Sequence, residues 1–292
     1  MRVAFLGFGL IGGSIARALR DRHPDGADDT SIAAWSPSAA GPAAAARDGV
    51  IHVAASDPEA AIAGADLVVL AGPATVTLAQ LDELAGPWQG ALAPDAVITD
   101  IASTKAAIVE RATALGLRFV GGHPMAGRET IGYAASSADL FVDRPWVIVP
   151  SDDDAAVGRV EGLATATGAR PRRMGADLHD EAVAAISHLP LIAAAAIVEA
   201  VAGGDADRAG RPEAAELAAS GWRDMTRLAR GDDAMGAGIV STNATAIAAR
   251  VRELIDVLEA WLAELERPGG PDEASVADRL RAARERLESM TP

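Results

Sequence analysis

The chain has 292 residues, a formal net charge of −15 and no cysteine. The lack of cysteine excludes disulfides, thiolate nucleophiles and cysteine-ligated metals. The acidic balance argues against a nucleic-acid groove or a surface for anionic membranes. The length predicts one large domain or two ordinary ones. Among the 26 basic residues there is a single lysine, Lys105, and all the others are arginines.

The sequence predicts a soluble, cytoplasmic protein. Its first residues reach glycine too early to form the apolar core of a signal peptide. The longest apolar stretch, Leu189 to Val201, contains Pro190 and Glu199 and is too short to span a membrane.

The first two thirds of the chain alternates short apolar runs with segments of helical spacing, which predicts βαβ units and a mostly parallel sheet. The predicted strands are Arg2–Leu6, Ser31–Trp35, Asp66–Ala71, Ala96–Ile101, Arg118–Val120 and Trp146–Pro150. The predicted helices include Ile11–Arg20, Thr75–Leu84 and Lys105–Leu115. Another helix is predicted to begin at Asp57-Pro58, where an N-cap acceptor precedes a proline.

After about residue 175 the predicted elements are all helical. Asp177 can begin a long helix that runs to Ala202, with a kink at Pro190. Further helices are predicted at Pro212–Leu228, Ile239–Glu266 and Ala274–Ser289. We therefore predict an α/β domain over residues 1–174, followed by an all-helical domain over residues 175–292.

A glycine-rich turn, Gly7-Phe8-Gly9-Leu10-Ile11-Gly12, joins the first predicted strand to the first predicted helix. In a dinucleotide fingerprint, the first glycine allows the tight turn and the second lets the backbone approach a pyrophosphate. The third lets helix and strand pack closely. The helix N-terminus then offers free N–H groups to the phosphates. The position of the turn favours a Rossmann-type, NAD(P)-binding domain over a turn that serves packing alone.

The end of the second strand leaves the choice of cofactor open. An acidic residue about 20 positions after the fingerprint would hold the ribose of NAD, and an arginine would accommodate the extra phosphate of NADP. Here the strand ends at Trp35-Ser36, and Ser36 could bond either nucleotide. The predicted cofactor is NAD or NADP, with NAD slightly favoured.

A histidine flanked by glycines follows the predicted strand Arg118–Val120, in the sequence Gly121-Gly-His123-Pro-Met-Ala-Gly127-Arg-Glu129. Ligands bind at the carboxyl edge of a parallel sheet, and a neutral imidazole can accept a proton at about pH 7. The alternative is a histidine that only fixes a loop by hydrogen bonds. The glycine flanks and the position at the strand end favour a general base.

A second polar loop, Asp100-Ile-Ala-Ser103-Thr104-Lys105, also follows a predicted strand. Its hydroxyls could orient a substrate. Alternatively, Ser103 and Thr104 could cap the next helix. Both roles are compatible with one loop.

Two histidines, His179 and His188, share the first helix of the second domain. Their separation of nine residues, about two and a half helical turns, puts them on different faces. We therefore expect that they do not bind one metal, and no metal site is predicted.

Asp224 precedes Arg227 by three residues on a predicted helix. One interpretation is a surface ion pair that contributes a few tenths of a kcal/mol. The other makes Arg227 a bidentate clamp for a substrate carboxylate, oriented by Asp224.

Together these motifs resemble those of the prephenate/arogenate dehydrogenase family of tyrosine biosynthesis, across nearly the whole chain. The resemblance rests on the fingerprint, the Asp-x-x-Ser-x-Lys loop and the His-Pro-Met-Ala-Gly-x-Glu loop. It continues through His-Asp, Ser-His-Leu-Pro, Asp-x-Thr-Arg and Asn243, in that order. The family has a nucleotide-binding domain and a helical dimerisation domain, so the resemblance implies a homodimer.

The resemblance implies an NAD(P)-dependent oxidative decarboxylation of prephenate or arogenate. His123 would be the catalytic base for the ring hydroxyl, and Ser103 would help to orient that hydroxyl. Arg227 would bind the substrate carboxylate with support from Asp224, and His188 and Glu129 would line or gate the pocket. The implied cofactor-binding residues are Gly7, Gly9, Leu10, Ile11, Gly12, Ser36 and Pro73.

The sequence departs from the family pattern in three places. Met235 is followed by Gly236, where the family often has tryptophan. The acidic residue after the second strand is absent, and no segment is expected to carry the regulatory domain of some members.

The predicted helix Ile239–Glu266 has an apolar face that suits either a dimer interface or a monomer core. This face is made of Ile247, Val251, Leu254, Leu258 and Leu262.

Two other functions compete with this one. A dehydrogenase of the β-hydroxyacid type needs a catalytic lysine in its helical domain, and no lysine follows Lys105. A non-catalytic nucleotide-binding dimer would have no need of His123, Ser103 and Arg227, and all three are present.

Overall fold

The computed structural model describes residues 1–21, 30–128, 130–202 and 211–290, but not the side chains of residues 211–213. The chain divides into two compact units, Met1–Ile247 and Ala248–Pro292. The first unit contains a β-sheet with its covering helices and a further group of helices, and the second is helical.

The described part of the first unit has one eight-stranded sheet, with strand order β3-β2-β1-β4-β5-β6-β7-β8. Neighbouring strands are parallel, except for the antiparallel pair β6 and β7. The order reverses between β1 and β4, and open α/β sheets bind ligands in the crevice at such a point. The strands are β1 (Arg2–Leu6), β2 (Ser31–Trp35), β3 (Val53–Ala54), β4 (Leu67–Leu70), β5 (Val97–Asp100), β6 (Phe119–Pro124), β7 (Pro145–Val149) and β8 (Arg170–Arg173).

Helices lie between the strands and the sheet is buried on both faces. Along β1, Val3 and Phe5 belong to one hydrophobic core, and Ala4 and Leu6 to the other, because successive side chains of a strand point to opposite faces. This confirms the predicted α/β fold. The helices are α1 (Leu10–Asp21), α2 (Ala40–Arg47), α3 (Pro58–Ile62), α4 (Ala74–Ala85), α5 (Ala106–Ala114) and α6 (Asp154–Ala166).

The rest of the described chain is helical, as predicted. A π-helical turn, Ala184–His188, joins two of the helices, and a 3₁₀ turn, Arg227–Arg230, follows another. The second unit contains most of α12 and all of α13. The helices are α7 (Ala176–Val183), α8 (Leu189–Ala202), α9 (Arg211–Glu216), α10 (Ser220–Thr226), α11 (Asp233–Thr242), α12 (Ala244–Leu265) and α13 (Glu273–Met290).

The strand that carries His123 is longer than predicted. The prediction ended it at Val120, but β6 continues through Pro124, because Gly121 to Pro124 pair with the antiparallel strand β7. His123 is therefore a strand residue and not a loop residue. Two short strands, β3 and β8, were not predicted: β3 has only two residues, and β8 is the charged segment Arg-Pro-Arg-Arg.

The helix predicted from Asp177 to Ala202 is interrupted one turn before Pro190, by the π-helical turn. Proline lacks an N–H group and its ring clashes with the carbonyl four residues earlier, here that of Ile186. A π-bulge relieves this conflict within a helix.

Two other predicted helices are each divided in the structure. The segment Pro212–Leu228 breaks between α9 and α10, next to Ser220-Gly221, which have low helix propensity. The predicted helix Ile239–Glu266 breaks at Asn243, and its first part starts earlier, where the Asp232 carboxylate caps α11.

Candidate active site

The fingerprint turn needs glycine at two positions and leaves the third open. Gly7 has φ +94°, and a Cβ there would lie 2.8 Å from the carbonyl of Ala71. A Cβ on Gly12 would lie 3.3 Å from the carbonyl oxygen of Gly7, so α1 packs closely on the turn. A Cβ on Gly9 would meet no atom within 4 Å. The backbone at Gly9 is therefore open to a ligand.

The N-terminus of α1 suits an anion, because its first turn has no acidic side chain. Leu10 and Ile11 in this turn are partly exposed, as are Ser36 after β2 and Pro73 after β4. β2 and β4 are the two neighbours of β1, so these residues lie around the switch point of the sheet. The residues present fit the pyrophosphate of a dinucleotide.

The only lysine, Lys105, packs against β6, the strand that carries His123: a Cβ on Gly121 would lie 3.4 Å from its Cδ. The ammonium of Lys105 pairs with the carboxylate of Asp100, and both side chains are fully buried. Asp100 also accepts hydrogen bonds from the backbone N–H groups of Ala102 (3.0 Å) and Gly122 (3.1 Å). A Cβ on Gly122 would lie 2.6 Å from the Asp100 carbonyl oxygen. The pair therefore fixes β6 beside the polar loop, and it requires glycine next to the histidine.

His123 is joined to α7 by a line of short hydrogen bonds. Its Nδ1 lies 2.8 Å from Nε2 of His179, and Nδ1 of His179 lies 2.7 Å from Oδ1 of Asp180. The Asp180 carboxylate also accepts the backbone N–H groups of Lys105 (2.8 Å) and Ala106 (2.9 Å). His179 and Asp180 are buried, whereas His123 is partly exposed. The line thus runs from the helical segment to a histidine that solvent can reach.

The surroundings of His123 favour a neutral imidazole at this position. Burial, and then the charges that His179, Lys105 and His188 would carry, lower the pKa of His123 well below its usual value. Burial raises the pKa of Asp180, but its hydrogen bonds from His179 and two backbone amides outweigh this and keep the pKa below its usual value. Burial lowers the pKa of Lys105 despite the opposing carboxylate of Asp100.

His188 belongs to the same cluster through Asn243. The side-chain amide of Asn243 donates to the carbonyl of Asp180 (2.8 Å) and lies 3.2 Å from Nδ1 of His188. Burial lowers the pKa of His188 to about 4, so the ring is neutral and carries its proton on Nε2. That nitrogen is buried and has no hydrogen-bond partner among the described residues.

The expectation that His179 and His188 lie on different faces does not hold. Both side chains join the cluster around Asp180 and Asn243. The π-helical turn between them changes the helical phase that an uninterrupted α-helix would have.

The proposed capping role of Ser103 and Thr104 is wrong. Neither side chain caps α5; the cap comes from Asp180, which accepts two N–H groups at the start of that helix. The Thr104 hydroxyl lies 2.7 Å from that of Thr242. Ser103 is partly exposed and makes no side-chain hydrogen bond to the described part of the protein.

The remaining predicted site residues lie on the surface or outside the described residues. Arg227 begins the 3₁₀ turn Arg227–Arg230, which packs against α8, and both Arg227 and Asp224 are exposed. Gly236 lies on α11, where a Cβ would be 3.9 Å from the Leu191 side chain. Glu129 lies outside the described residues.

The only tyrosine, Tyr133, was not singled out from the sequence. Its ring stacks on Phe8 of the fingerprint (centroids 5.7 Å apart), and its hydroxyl donates to Asp48 (2.8 Å). The Arg17 guanidinium lies 4.6 Å from the ring centroid and donates to Ser136. Burial and the bond to Asp48 raise the pKa of Tyr133 to about 12. The segment after His123 is thereby held against α1.

Two sequence models of known protein domains match this chain, one after the other. A sequence model of the prephenate dehydrogenase nucleotide-binding domain matches residues 15–172, and one of the prephenate dehydrogenase dimerization domain matches residues 175–271. Prephenate dehydrogenase of Bacillus subtilis is 32% identical over 277 residues, which are 91% of this chain and 68% of that protein.

Two further relatives carry related names. Cyclohexadienyl dehydrogenase of Zymomonas mobilis is 28% identical over 91% of this chain and 86% of its own length. The crystal structure of Synechocystis arogenate dehydrogenase superposes with a TM-score of 0.77 at 28% identity, over 98% of this chain and all of that chain. The matched domains, in this order and over most of the sequence, show that the chain belongs to the prephenate dehydrogenase family.

Proposed function

We propose that the protein catalyses the NAD(P)-dependent oxidative decarboxylation of prephenate or arogenate in tyrosine biosynthesis. The observation that carries the proposal is the partly exposed His123 on β6, which a hydrogen bond ties to a buried polar cluster and whose pKa lies well below the usual value for histidine because of burial. Membership of the family supplies the reaction class.

Bound NAD or NADP would accept a hydride at its nicotinamide ring. In this chain the open backbone at Gly9 and the N-terminus of α1 would hold the pyrophosphate. Gly7 and Gly12 would shape the turn, and Leu10, Ile11, Ser36 and Pro73 would flank the nucleotide.

His123 would take the proton of the ring hydroxyl on Nε2, as hydride leaves the carbon that bears this hydroxyl. Loss of the ring carboxylate as CO₂ then supplies the electron pair that makes the ring aromatic, and the oxygen regains a proton as a phenol. Ser103, whose hydroxyl makes no bond to the described protein, would orient the substrate hydroxyl. These residues mainly position groups and stabilise developing charge.

The substrate's anionic groups would be bound by Arg227, supported by Asp224, at the exposed start of the 3₁₀ turn. His188 would donate from Nε2 to a substrate oxygen, which would satisfy its buried, unpartnered N–H group. Glu129 would line or gate the same pocket.

We place the boundary between the two domains at residues 174 and 175, and propose a homodimer that forms through the helical domain. The apolar side chains of α12 support this, because Leu258 and Leu262 are 55% and 51% exposed. A dimer interface would cover them. Sedimentation velocity tests this, and a monomer at all micromolar concentrations would contradict it.

The protein is proposed to be cytoplasmic. The helical run Ala176–Ala202 has the length and composition of a membrane span, with a mean hydropathy of 1.8. However, its His179, Asp180 and His188 are bound into the polar cluster, so we assign this run to the folded enzyme.

The test is a matrix of two substrates and two cofactors, read as the absorbance of reduced nicotinamide. Prephenate or arogenate should support turnover with NAD or NADP. The combination with the highest kcat/KM identifies the preferred substrate and the preferred cofactor. If the protein turns over neither substrate with either cofactor, the proposal is wrong.

A further inference from the structure

The hydrogen bonds that end at His123 begin at a group that can only accept. The Asp180 carboxylate receives two backbone N–H groups, from Lys105 and Ala106. An ionised carboxylate has no proton to give, so the third bond, at 2.7 Å, must be donated by Nδ1–H of His179.

The direction of this bond sets the direction of the next one. A neutral His179 with its proton on Nδ1 has only a lone pair on Nε2. The contact of 2.8 Å to His123 is then donated by Nδ1–H of His123. In a neutral ring this leaves Nε2 of His123 without a proton.

We propose that His179 is a positioning residue that holds His123 in the Nδ1–H tautomer and so keeps its Nε2 free to accept a proton. This rests on the proposed function, in which Nε2 takes the proton of the substrate hydroxyl. Which nitrogen of a neutral histidine is protonated depends on the hydrogen bond that the other makes. The two rings meet nearly edge to face, at an interplanar angle of 78°, so the contact also fixes the orientation of the His123 ring.

If His179 instead donated the hydrogen bond to His123, it would have to be an imidazolium that donates to both His123 and Asp180. His179 is only 1% exposed, and the ammonium of Lys105 and the ring of His188 lie in the same cluster. With His179 as the donor, a neutral His123 would carry its proton on Nε2, and the ring spectrum described below distinguishes the two arrangements. Asp180 is the opposing charge, but its oxygens are already shared with two backbone amides.

Nitrogen-15 NMR of the histidine rings reads the tautomer without substrate or cofactor. The chain has only five histidines, so single substitutions assign their signals. In the wild-type protein His123 should carry its proton on Nδ1. In His179→Leu the Nδ1 partner is gone, and the protonated nitrogen should change to Nε2. His179→Gln offers a side-chain oxygen in place of Nε2 and should keep the proton on Nδ1.

A matched control uses a histidine far from this line. His52 accepts the backbone N–H of Ile32 through Nδ1 (3.0 Å), and His52→Asn can keep that bond. It should leave the His123 spectrum and the kinetics unchanged. An Nε2–H tautomer of His123 in the wild-type protein, or an Nδ1–H tautomer that persists in folded His179→Leu, would overturn the proposal.

Kinetics with the preferred substrate supply the second readout. His179→Leu should lower kcat about 100-fold with little change in KM, since it disturbs proton acceptance and not binding. His179→Gln should recover a large part of this loss. An unchanged kcat in His179→Leu would show that the contact does not support the base. If the wild-type enzyme turns over neither substrate, the proposed function fails while the tautomer result still stands on its own.

Discussion

Asp180 lies in the middle of α7 and caps a different helix, α5, by accepting the backbone N–H of Lys105 at 2.8 Å and that of the next residue. A carboxylate at a helix N-terminus satisfies free donors and interacts favourably with the helix dipole. The same carboxylate orients His179. One buried side chain therefore joins the helical segment, the polar loop and the candidate base.

Asp180→Ala should destabilise the protein more than the loss of an ordinary cap. It leaves two N–H groups at the start of α5 without partners, the buried one of Lys105 and the partly buried one of Ala106, and an unsatisfied buried donor costs about 1–3 kcal/mol. Urea denaturation followed by circular dichroism measures the change. The control is Asp57→Ala, which removes an exposed cap from α3 and should cost less. Equal losses in the two variants would contradict the buried capping role.

Lys105 should not tolerate replacement, because its ammonium and the Asp100 carboxylate are both fully buried. Lys105→Met would leave that carboxylate without its cation, which costs about 3–5 kcal/mol in comparable buried pairs. Lys105→Arg keeps the charge but enlarges the group beside Gly121, where a Cβ would already lie 3.4 Å from Cδ of Lys105.

Chemical denaturation of both Lys105 variants, beside Arg267→Ala as a surface ion-pair control, measures these effects. The control should lose no more than about 1 kcal/mol. A Lys105→Met protein as stable as the control would show that the buried pair adds nothing to folding.

The sequence was sufficient for features that are local in the chain. The fingerprint, β1 and the cap of α3 depend on residues within a few positions of one another. The candidate site depends on contacts that no local pattern specifies. His123 meets His179 across 56 residues, and Asp180 meets Lys105 across 75. The adjacent His-Asp pair was visible in the sequence, but its partners appear only once α7 lies beside α5.

β8 illustrates a second reason for failure. Its sequence, Arg-Pro-Arg-Arg, lacks the apolar pattern of a buried strand, because it lies at the edge of the sheet. Charged residues and proline are typical of edge strands. Hydropathy predicts strands that are covered on both faces, so it found β1 and β4 and missed β8.

Gly9 and Gly7 of the fingerprint should respond differently to replacement by alanine. Gly9→Ala points a methyl group into open space, so the thermal midpoint should be unchanged while the Kd for NAD(P) rises tenfold or more, at about 1.4 kcal/mol per tenfold. Gly7→Ala should lower the midpoint, because φ is +94° and Ala71 lies 2.8 Å away. Calorimetric titration and thermal unfolding separate the two effects. Unchanged cofactor binding by Gly9→Ala would place the pyrophosphate elsewhere.

His188 should make stability fall with acidity. Its pKa is about 4 in the folded protein, chiefly through burial, against 6.5 for an ordinary histidine. Between these values the unfolded chain binds the proton and the folded chain does not, so the free energy of unfolding decreases as pH falls from about 6.5 to about 4. The nearby Asp180 and His179 act in opposite directions on this pKa.

Denaturation of the wild-type protein and His188→Asn across this range isolates the contribution of His188. An asparagine oxygen can keep the bond from Asn243 and does not titrate. The variant should therefore show a shallower loss of stability than the wild type. Parallel curves would mean that His188 is protonated equally in the folded and unfolded states.

Arg227→Ala should raise KM for the preferred substrate about 10–100-fold, because a charge-assisted bond to a carboxylate contributes about 1.5–3 kcal/mol. The kcat should change far less, since the residue is proposed to bind and not to transfer protons. Arg230→Ala is the matched control, an exposed arginine at the other end of the same 3₁₀ turn, and its KM should stay near that of the wild type. If both variants gave the same KM, the turn would act only as a positive surface and Arg227 would not be the substrate's carboxylate partner.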